Sequence, residues 1–594
     1  MSTDVQIAII GSAGDGTIAA GDILRRAMAE IGYRVISFDL YPAEIRGFGK
    51  CIARLRVTDE QAYSLKQKSD IVVSLDDSHA IPHVGEAREW GAVIYETNSV
   101  NPLPEGAHLS AHIDPGQIPY NVAIRELAEK STGSARSRNI VIVGYIIGLM
   151  HLPLEPVLRA LVGKFKGKGE IAQKNEAALR AGYEEGLHWF RLDDIKFGPP
   201  PEQMQGAHLE MINGNAAIVR GALDAGIDTF FGYPITPATS IMERLASEMP
   251  KRGARLVQTE DEIAAISATL GAGYTGARSA TATSGPGLSL MAEMLGFGVI
   301  AEVPCVVFVS QRGGPSTGMP TKHEQSDLNM AVFGGHGDAP RIVIAPTSVE
   351  GCYRAAGRAF EIAEAYQTPV ILLLDLYLSN RYETVPLPDH PPFEMDSNRY
   401  ADTRGTTGFK RYAPTADGVS PRSIPGQPGG MYVATGLEHN ELGRPNDQPD
   451  MHLIQSRKRH EKLKAALRHP GFEPAKRYGD AGPVDVGIVT WGSSFGECLE
   501  AMYLAQDEGI RCSAVKVVMV SPFPVDFVAA FIADCKEVLV PEVNYQGQFA
   551  GILQMHIPQA VTRMSRIPCE PMRVEDILGE IRRLAGRTVE PKAA

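Results

Sequence analysis

The chain reads as an α/β protein built from three successive α/β domains. Short β-branched runs alternate with stretches of helical periodicity over most of its length. The alternation restarts after the proline-rich stretch "KFGPPPEQMQG" and again after a Pro-, Gly-, Asp- and Arg-rich segment between about Tyr382 and Gly482. No fixed-period repeat interrupts this pattern.

The first domain, residues 1–195, opens on the strand "VQIAIIG". A glycine loop leads into "TIAAGDILRRAMAEIG", whose apolar residues recur at helical spacing, and then into a second strand, "YRVISFDLY". "DIVVSLD" and "GAVIYE" continue the series, which predicts a parallel sheet ending near Leu192. "NIVIVGYIIGLMHL" is too short to cross a bilayer and holds glycines and a histidine, so it reads as a buried element. The second domain, residues 205–382, begins with "GNAAIVRGALDAG" as helix and "IDTFFGYP" as strand. The strands "SATATS", "PCVVFVSQ", "RIVIAPTS" and "PVILLLDLYL" follow, which predicts a doubly wound sheet. Residues 383–482 read as an ordered but irregular connector with one helical island, "DMHLIQSRKRHEKLKAALRH". A third α/β unit, residues 483–594, starts at "VDVGIVTWGSS".

Composition narrows the function. The 594 residues are 44% hydrophobic and 22% charged, an ordinary globular balance. A net charge of −12 without a long Lys/Arg cluster argues against nucleic acid or an anionic membrane as the main partner. The N-terminus "MSTDVQIAIIGSAGDG" has an acid where a signal peptide needs basic residues, which predicts a cytoplasmic protein. Seven cysteines, at 51, 305, 352, 498, 512, 535 and 569, never reach C-x-x-C spacing, so no local iron–sulfur or zinc cassette is expected.

Six stretches carry chemistry. The loop "GSAGDG" (Gly11, Ser12, Gly14, Asp15, Gly16) lies between a strand and a helix, where backbone N–H groups meet an anion such as a phosphate. Its G-x-x-G-x-G spacing differs from the dinucleotide G-x-G-x-x-G, although Asp39 could imitate the ribose-binding acid, so a nicotinamide dehydrogenase is the alternative reading. The loop also holds Gly-Asp-Gly, which opens the thiamine diphosphate motif, but no asparagine precedes Asn98. Tight strand-to-helix packing explains the glycines as well. In "YPAEIRGFGK", Arg46 and Lys50 stand among glycines where they meet the same anion or solvent.

In "FFGYPITPATSIMERLASEMP", Pro234 and Pro237 remove two backbone donors, so strand pairing ends and Thr236 is held at the carboxyl edge of the sheet. Ligands sit at that edge in open α/β sheets. Thr236 is equally placed to be the N-cap of "PATSIMERLA", with Pro237 at N1. "VQTEDEIAAISATLGAGYTGA" places Glu260, Asp261 and Glu262 at a helix start, where acids suit the dipole. Glu262, directly before "IAAI", is the one expected to point inward, partly desolvated as acid/base carboxyls are. "TSGPGLSLMAE" and "SQRGGPSTGMPTKHEQSDL" are Gly-Pro loops after strands. The second holds Arg312, Ser316, Thr317, Thr321, Lys322 and His323, and Arg312 offers a bidentate fork for a carboxylate.

"GYPITP", "QTEDEIAAISATLGAGYTGA", "TSGPGLSLM", "RGGPSTGMPTKHEQSDL" and "PEVNYQGQ" together resemble the alpha subunit of the 2-oxoacid:ferredoxin oxidoreductases, most like the 2-oxoglutarate branch. The N-terminal segment, with "GSAGDG" and "YPAEIRG", resembles that family's gamma domain fused in front. The resemblance implies a gamma domain on the coenzyme A side, a pyrimidine-type thiamine diphosphate domain and a transketolase-C-terminal-like domain. It implies oxidative decarboxylation of a 2-oxoacid, best matched by 2-oxoglutarate, to the acyl-CoA with electrons passed to ferredoxin, or the reverse carboxylation; pyruvate or another 2-oxoacid is the alternative substrate. A beta subunit would hold most of the thiamine diphosphate with Mg²⁺ and a [4Fe-4S] cluster, in an (alpha beta)2 heterotetramer. Glu262 would face the cofactor's pyrimidine, with Tyr233 and Pro234 on the same cofactor. Arg312 would bind the 1-carboxylate, Thr236 and Thr321 would contact the substrate, and Gly11, Ser12, Gly14, Gly16 and Arg46 would lie against coenzyme A. Asp15 departs from the Gln common in the family.

Overall fold

The computed structural model describes residues 3–42, 49–97, 108–165, 169–188, 195, 197–198, 209–388, 391–393 and 400–587. Two units are defined, Met1–Ile212 with Arg381–Leu387, and Asn213–Asn380 with Pro388–Ala594. Among the described residues, three sheets of eight, seven and five strands carry the fold.

In the first unit the opening apolar run is strand β1 (Asp4–Ser12) and the periodic segment after it is helix α1 (Thr17–Ile31). The strands that follow are β2 (Arg34–Leu40), β3 (Lys50–Thr58), β4 (Ser69–Ser74), β5 (Ala87–Glu96), β6 (Ile118–Val122) and β7 (Leu209–Asn213). They order as β6-β5-β4-β1-β3-β2, then a strand from far along the chain, β14 (Tyr382–Pro386), then β7. The expected parallel sheet is parallel only from β6 to β1. β3 runs antiparallel to both β1 and β2, because the residues between Leu40 and Lys50 are fewer than the dozen or more a parallel crossover needs. The apolar segment noted at Asn139 is helix α2 (Arg138–Leu149), buried from Asn139 onward. It packs on α3 (Gly169–Leu187) through two glycine pairs. A Cβ at Gly144 would lie 2.1 Å from the Leu179 carbonyl oxygen, and one at Gly182 would lie 2.0 Å from that of Val141. Any larger residue would part the two helices.

The second unit begins with α4 (Gly214–Asp224) and β8 (Thr229–Gly232), then α5 (Thr239–Glu248), β9 (Arg255–Gln258), α6 (Glu262–Tyr274) and β10 (Ser279–Thr283). It continues with α7 (Gly285–Ile300), β11 (Cys305–Gln311), α8 (Leu328–Phe333), β12 (Ile342–Ile344), α9 (Val349–Tyr366) and β13 (Pro369–Asp375). Its sheet orders as β9-β8-β10-β11-β13-β12 with all neighbours parallel, and β18 (Met519–Ser521) adds antiparallel to β12. The helical island is α10 (Pro449–Ala466). α10 is pinned by a buried ion cluster in which Lys458 and Lys462 each lie 2.7 Å from the fully buried carboxylate of Glu302, and Lys458 Nζ also donates to Tyr412 O in the irregular chain before it. The third sheet orders β15 (Ala475–Gly479), β17 (Cys512–Val517), β16 (Val484–Thr490), β19 (Cys535–Glu542) and β20 (Thr562–Ser565). Among the described residues no helix is long and apolar enough to cross a membrane.

Candidate active site

Parallel strands send the loops at their carboxyl ends to one edge of the sheet. In the second unit those loops are Tyr233–Pro237 after β8, Thr259–Asp261 after β9, Ser284 after β10 and Arg312–Asp327 after β11. Each contains one of the motifs read from the sequence. The chain passes from β8 outward to β9, then crosses β8 to place β10 on its other side. The crevice between β8 and β10 is therefore the point where the winding reverses, and in open α/β sheets ligands bind there.

The three acids after β9 take three different environments. Glu260 is exposed, Asp261 caps α6 by accepting a hydrogen bond from Ala264 N at 2.7 Å, and Glu262 is 5% exposed. The carboxylate of Glu262 takes no hydrogen bond from a described residue and lies against Gly287, where an added Cβ would be 2.6 Å from its Oε1. Thr283 Oγ1 would be 2.0 Å from that same Cβ. Glycine at 287 thus makes the space in which a buried, unbonded carboxyl stands at the head of α6. Such a group is placed to hold or move a proton on a ligand nitrogen.

Arg312, 7% exposed, bridges two of the loops: Nη1 donates to Thr236 O at 2.7 Å and Nη2 to Thr317 O at 3.0 Å. Its Nε is buried without a partner. A guanidinium carries five N–H donors, so the remaining ones are left for an anion. Burial lowers its pKa and Asp327 partly offsets that. Thr236 is half-buried, and its carbonyl rather than its hydroxyl meets Arg312. The N-cap reading of Thr236 is corrected: α5 starts at Thr239 after Ala238, with no side-chain cap, and Thr239 N bonds to Ile235 O at 3.0 Å. A single i→i−4 turn closed on Ile235 O thus precedes the helix, which moves its start past Thr236. Tyr233 and Pro234 are exposed at the edge. The segment after Arg312 folds back on itself, with Gly313 N donating to Lys322 O and Met319 N to Gly313 O. This leaves Ser316 and Thr317 exposed and Thr321 half-buried. His323 is buried 3.7 Å from Asp375.

Asp327 went unnoticed in the sequence. Its carboxyl lies against Gly285, where a Cβ would meet Oδ2 at 2.5 Å, and that oxygen is buried without a partner. Burial first, and the neighbouring charge of Glu324 second, push its pKa up to about 6 against the pull of Arg312. An Asp opening a short helix, as in "SDLNMAVF", gives no sign of this, since the same pattern describes an ordinary cap.

Gln325 and the late motif "PEVNYQGQ" also meet. Gln325 N donates to Val543 O at 2.7 Å, Val543 N to Gln325 Oε1 at 3.0 Å, and Asn544 Nδ2 to Gln325 O at 3.2 Å. Gln548 Nε2 donates to Ser326 O at 2.7 Å, and Gln548 Oε1 accepts from Asn329 N at 2.8 Å. These residues hold the β11 loop rather than face a ligand.

In the first unit the glycine loop joins β1 to α1 as expected. Gly14 and Gly16 have φ of 104° and 80°, which favour glycine, and α1 has no side-chain cap. Its first N–H groups are thus available to an anion. Ser12 Oγ donates to Asp76 Oδ2 at 2.8 Å. The carboxylate of Asp15 is turned back into the protein, accepting from Ser12 N at 2.9 Å and from Arg138 Nη2 at 3.1 Å. Its repulsion toward a phosphate is correspondingly reduced. Asp39 is bound by both terminal nitrogens of Arg25, at 3.0 and 2.9 Å, which removes it as a ribose ligand and counts against the nicotinamide reading. Lys50 lies 2.8 Å from His83, and Arg46 is outside the described residues. Among the described residues no group of three His, Cys, Asp or Glu converges to hold a metal ion.

Comparison with known proteins covers nearly the whole chain. Residues 6–185 match the family described as pyruvate ferredoxin/flavodoxin oxidoreductase, residues 220–458 its thiamine diphosphate-binding domain, and residues 484–593 pyruvate:ferredoxin oxidoreductase core domain II. The chain is 31% identical to the 2-oxoacid:ferredoxin oxidoreductase 2 alpha subunit of Aeropyrum pernix over 98% of both chains. It is also 31% identical to the 2-oxoglutarate oxidoreductase subunit KorA of Mycobacterium tuberculosis, over 99% of this chain and 92% of that one. Among solved structures, the 2-oxoglutarate:ferredoxin oxidoreductase of Magnetococcus marinus, with 2-oxoglutarate, coenzyme A and succinyl-CoA bound, superposes with a TM-score of 0.92 at 36% identity, over 98% of this chain and 100% of that one.

Proposed function

The chain belongs to the 2-oxoacid:ferredoxin oxidoreductases as an alpha subunit, and from that premise we propose how its residues divide the work. The reading is a thiamine-diphosphate-dependent, coenzyme A-acylating oxidation of a 2-oxoacid, with 2-oxoglutarate the substrate. The relatives named for 2-oxoglutarate support that choice, while the family descriptions name pyruvate.

The observation that carries the reading is Glu262, a buried carboxyl without a hydrogen bond, in a space kept by Gly287 at the winding reversal. It fits an aminopyrimidine nitrogen as partner. Thiamine diphosphate, when bound, supplies the nucleophilic carbon that makes decarboxylation of a 2-oxoacid feasible. Glu262 holds the proton exchanged with the pyrimidine, and Tyr233 and Pro234 lie along the same edge. The unused donors of Arg312 grip the substrate's 1-carboxylate. Because Arg312 is tied to Thr236 and Thr317, the carboxylate is held in a plane set by two loops, with Thr236 and Thr321 beside it. In the N-terminal unit, read as a gamma-type domain, the head of α1 with Gly11, Ser12, Gly14 and Gly16 receives coenzyme A phosphates, with Arg46 beside them. Residues 1–195, 205–382 and 483–594 are the functional domains of this reading, joined by the connector 383–482. A cytoplasmic (alpha beta)2 assembly, with Mg²⁺ and a [4Fe-4S] cluster in the beta subunit and ferredoxin as acceptor, completes it.

The test is co-expression with the beta subunit, followed by viologen reduction with each component withheld in turn. Activity should require thiamine diphosphate, coenzyme A and a 2-oxoacid, with kcat/KM higher for 2-oxoglutarate than for pyruvate. Full activity without thiamine diphosphate overturns the reading, and preference for pyruvate overturns the substrate.

A further inference from the structure

The strand edge opposite the candidate active site holds a second cavity. Arg341 immediately precedes β12, so it stands at the amino ends of the parallel strands whose carboxyl ends carry the site. It lines a space of about 810 Å³ in the second unit, within the range of small-molecule pockets. Arg341 is 2% exposed, yet its Nε and Nη1 have no hydrogen-bond partner among the described residues. The guanidinium lies over Gly335, where a Cβ would be 2.8 Å from Nη2.

A buried, unpaired cation is expensive to keep, and removing its cost requires an anion or neutralisation. Two carboxylates, Asp338 and Asp526, line the same cavity, but neither forms an ion pair with Arg341 among the described residues. Two further cations stand on the rim, Lys464 on α10 and Arg468 just beyond it; Lys464 also reaches Glu461 at 2.8 Å. The ring of His556 stacks on Phe523, with 5.2 Å between centroids. Phe333, Leu467 and Val520 make the remaining wall apolar. Such a lining suits neither a bare inorganic ion nor a neutral apolar molecule.

We propose that this cavity is a binding site for a small organic anion, a carboxylate or phosphate on an apolar body, with Arg341 as its buried counter-charge. Nothing in the decarboxylation described above uses these residues.

The probe is 8-anilinonaphthalene-1-sulfonate, whose sulfonate and aromatic body mimic that chemistry, titrated by fluorescence into the assembled alpha–beta enzyme. Saturable binding at one site per alpha chain is expected. Arg341→Met should weaken it at least tenfold, Arg341→Lys less, and Lys464→Glu several-fold, all with unchanged turnover of 2-oxoacid. Displacement by benzoate against phenyl phosphate tells which head group the site prefers. Lys464 is mostly exposed, so its variant carries the test should Arg341→Met fail to fold. Equal binding by wild type, Arg341→Met and Lys464→Glu overturns the proposal. So does absence of binding in the assembled enzyme, or a fall in thermal stability of Arg341→Met with probe binding intact, which would assign the arginine to packing.

Discussion

Replacing Gly287 by Ala tests whether the position of Glu262, and not merely its presence, matters. The added Cβ would stand 2.6 Å from both Cγ and Oε1 of Glu262 and 2.0 Å from Thr283 Oγ1. Carbon contacts settle near 3.5 Å, so the carboxyl must retreat by about 1 Å. Thr283 is β-branched and buried in β10, which leaves it little room to yield first. A displacement of that size in a reacting group costs roughly a hundredfold in rate, or about 2.7 kcal/mol. Overpacking costs about 1–3 kcal/mol of stability besides. The control lies on the same helix: a Cβ at Gly296 meets nothing within 4 Å, so Gly296→Ala should leave turnover unchanged and gain up to about 1 kcal/mol of stability. The assay is viologen reduction by the assembled enzyme under saturating 2-oxoacid and coenzyme A, with thermal melts of both variants. Turnover of Gly287→Ala within about twofold of wild type would refute the reasoning, because Glu262 would then tolerate the shift.

Other expectations follow from the same geometry. Glu262→Gln should lower turnover by roughly 10² or more while Glu260→Gln, at an exposed position, does much less; equal effects would mean the wrong acid was chosen. Arg312→Met should cost about 2–5 kcal/mol in kcat/KM for the 2-oxoacid, Arg312→Lys less, and coenzyme A use should barely change, as measured by varying one substrate at a time. Asp327 binds its proton more tightly folded than unfolded, with a pKa of about 6 against 3.8. Its contribution to stability is thus complete below about 3.8 and lost as pH rises through about 6, so urea midpoints of wild type and Asp327→Asn should differ in slope across that window. Glu302→Gln should destabilise the second unit by about 3–5 kcal/mol in urea, since it leaves Lys458 and Lys462 buried without their counter-charge.

Much of the site was legible because strands and the loops that follow them are local in sequence. The breaks at Pro234, Ser284 and Arg312 each follow a strand-length run, and parallel pairing alone then gathers them at one edge. The choice of Glu262 among three acids also rested on a local cue, the apolar residues directly after it. What stayed hidden depends on distant partners. The antiparallel direction of β3 depends on its pairing with β1, far back in the sequence, and the engagement of Asp39 depends on Arg25, fourteen residues away on α1. Arg312 looked like a free fork, yet two of its donors serve Thr236 and Thr317, a use that only the meeting of two loops creates. The raised pKa of Asp327 arises first from burial, where its carboxyl lies against Gly285 at the head of α7, and second from the charge of Glu324.

The third sheet contributes none of the proposed catalytic side chains, yet it shapes the site through the β11 loop. Arg312 sits at one end of that loop and Asp327 at the other. Between them Gln325 is held on several sides: Val543 and Asn544 bond it from the third sheet's segment, Ser494 Oγ donates to its Oε1 at 3.0 Å, and its Nε2 donates to Asp375 Oδ2 at 2.9 Å. Asp375 ends β13 of the second sheet and also accepts from Ser493 N at 3.1 Å. A loop this long would ordinarily be mobile, and a mobile loop could not keep a guanidinium and a raised-pKa carboxyl at set positions. Buried amide groups serve better than apolar ones here, because each bond fixes a direction as well as a distance. The fixed positions of Arg312 and Asp327 are therefore a property of the contact between the second and third sheets, and the late "NYQGQ" motif would act on the proposed carboxylate site through Gln325.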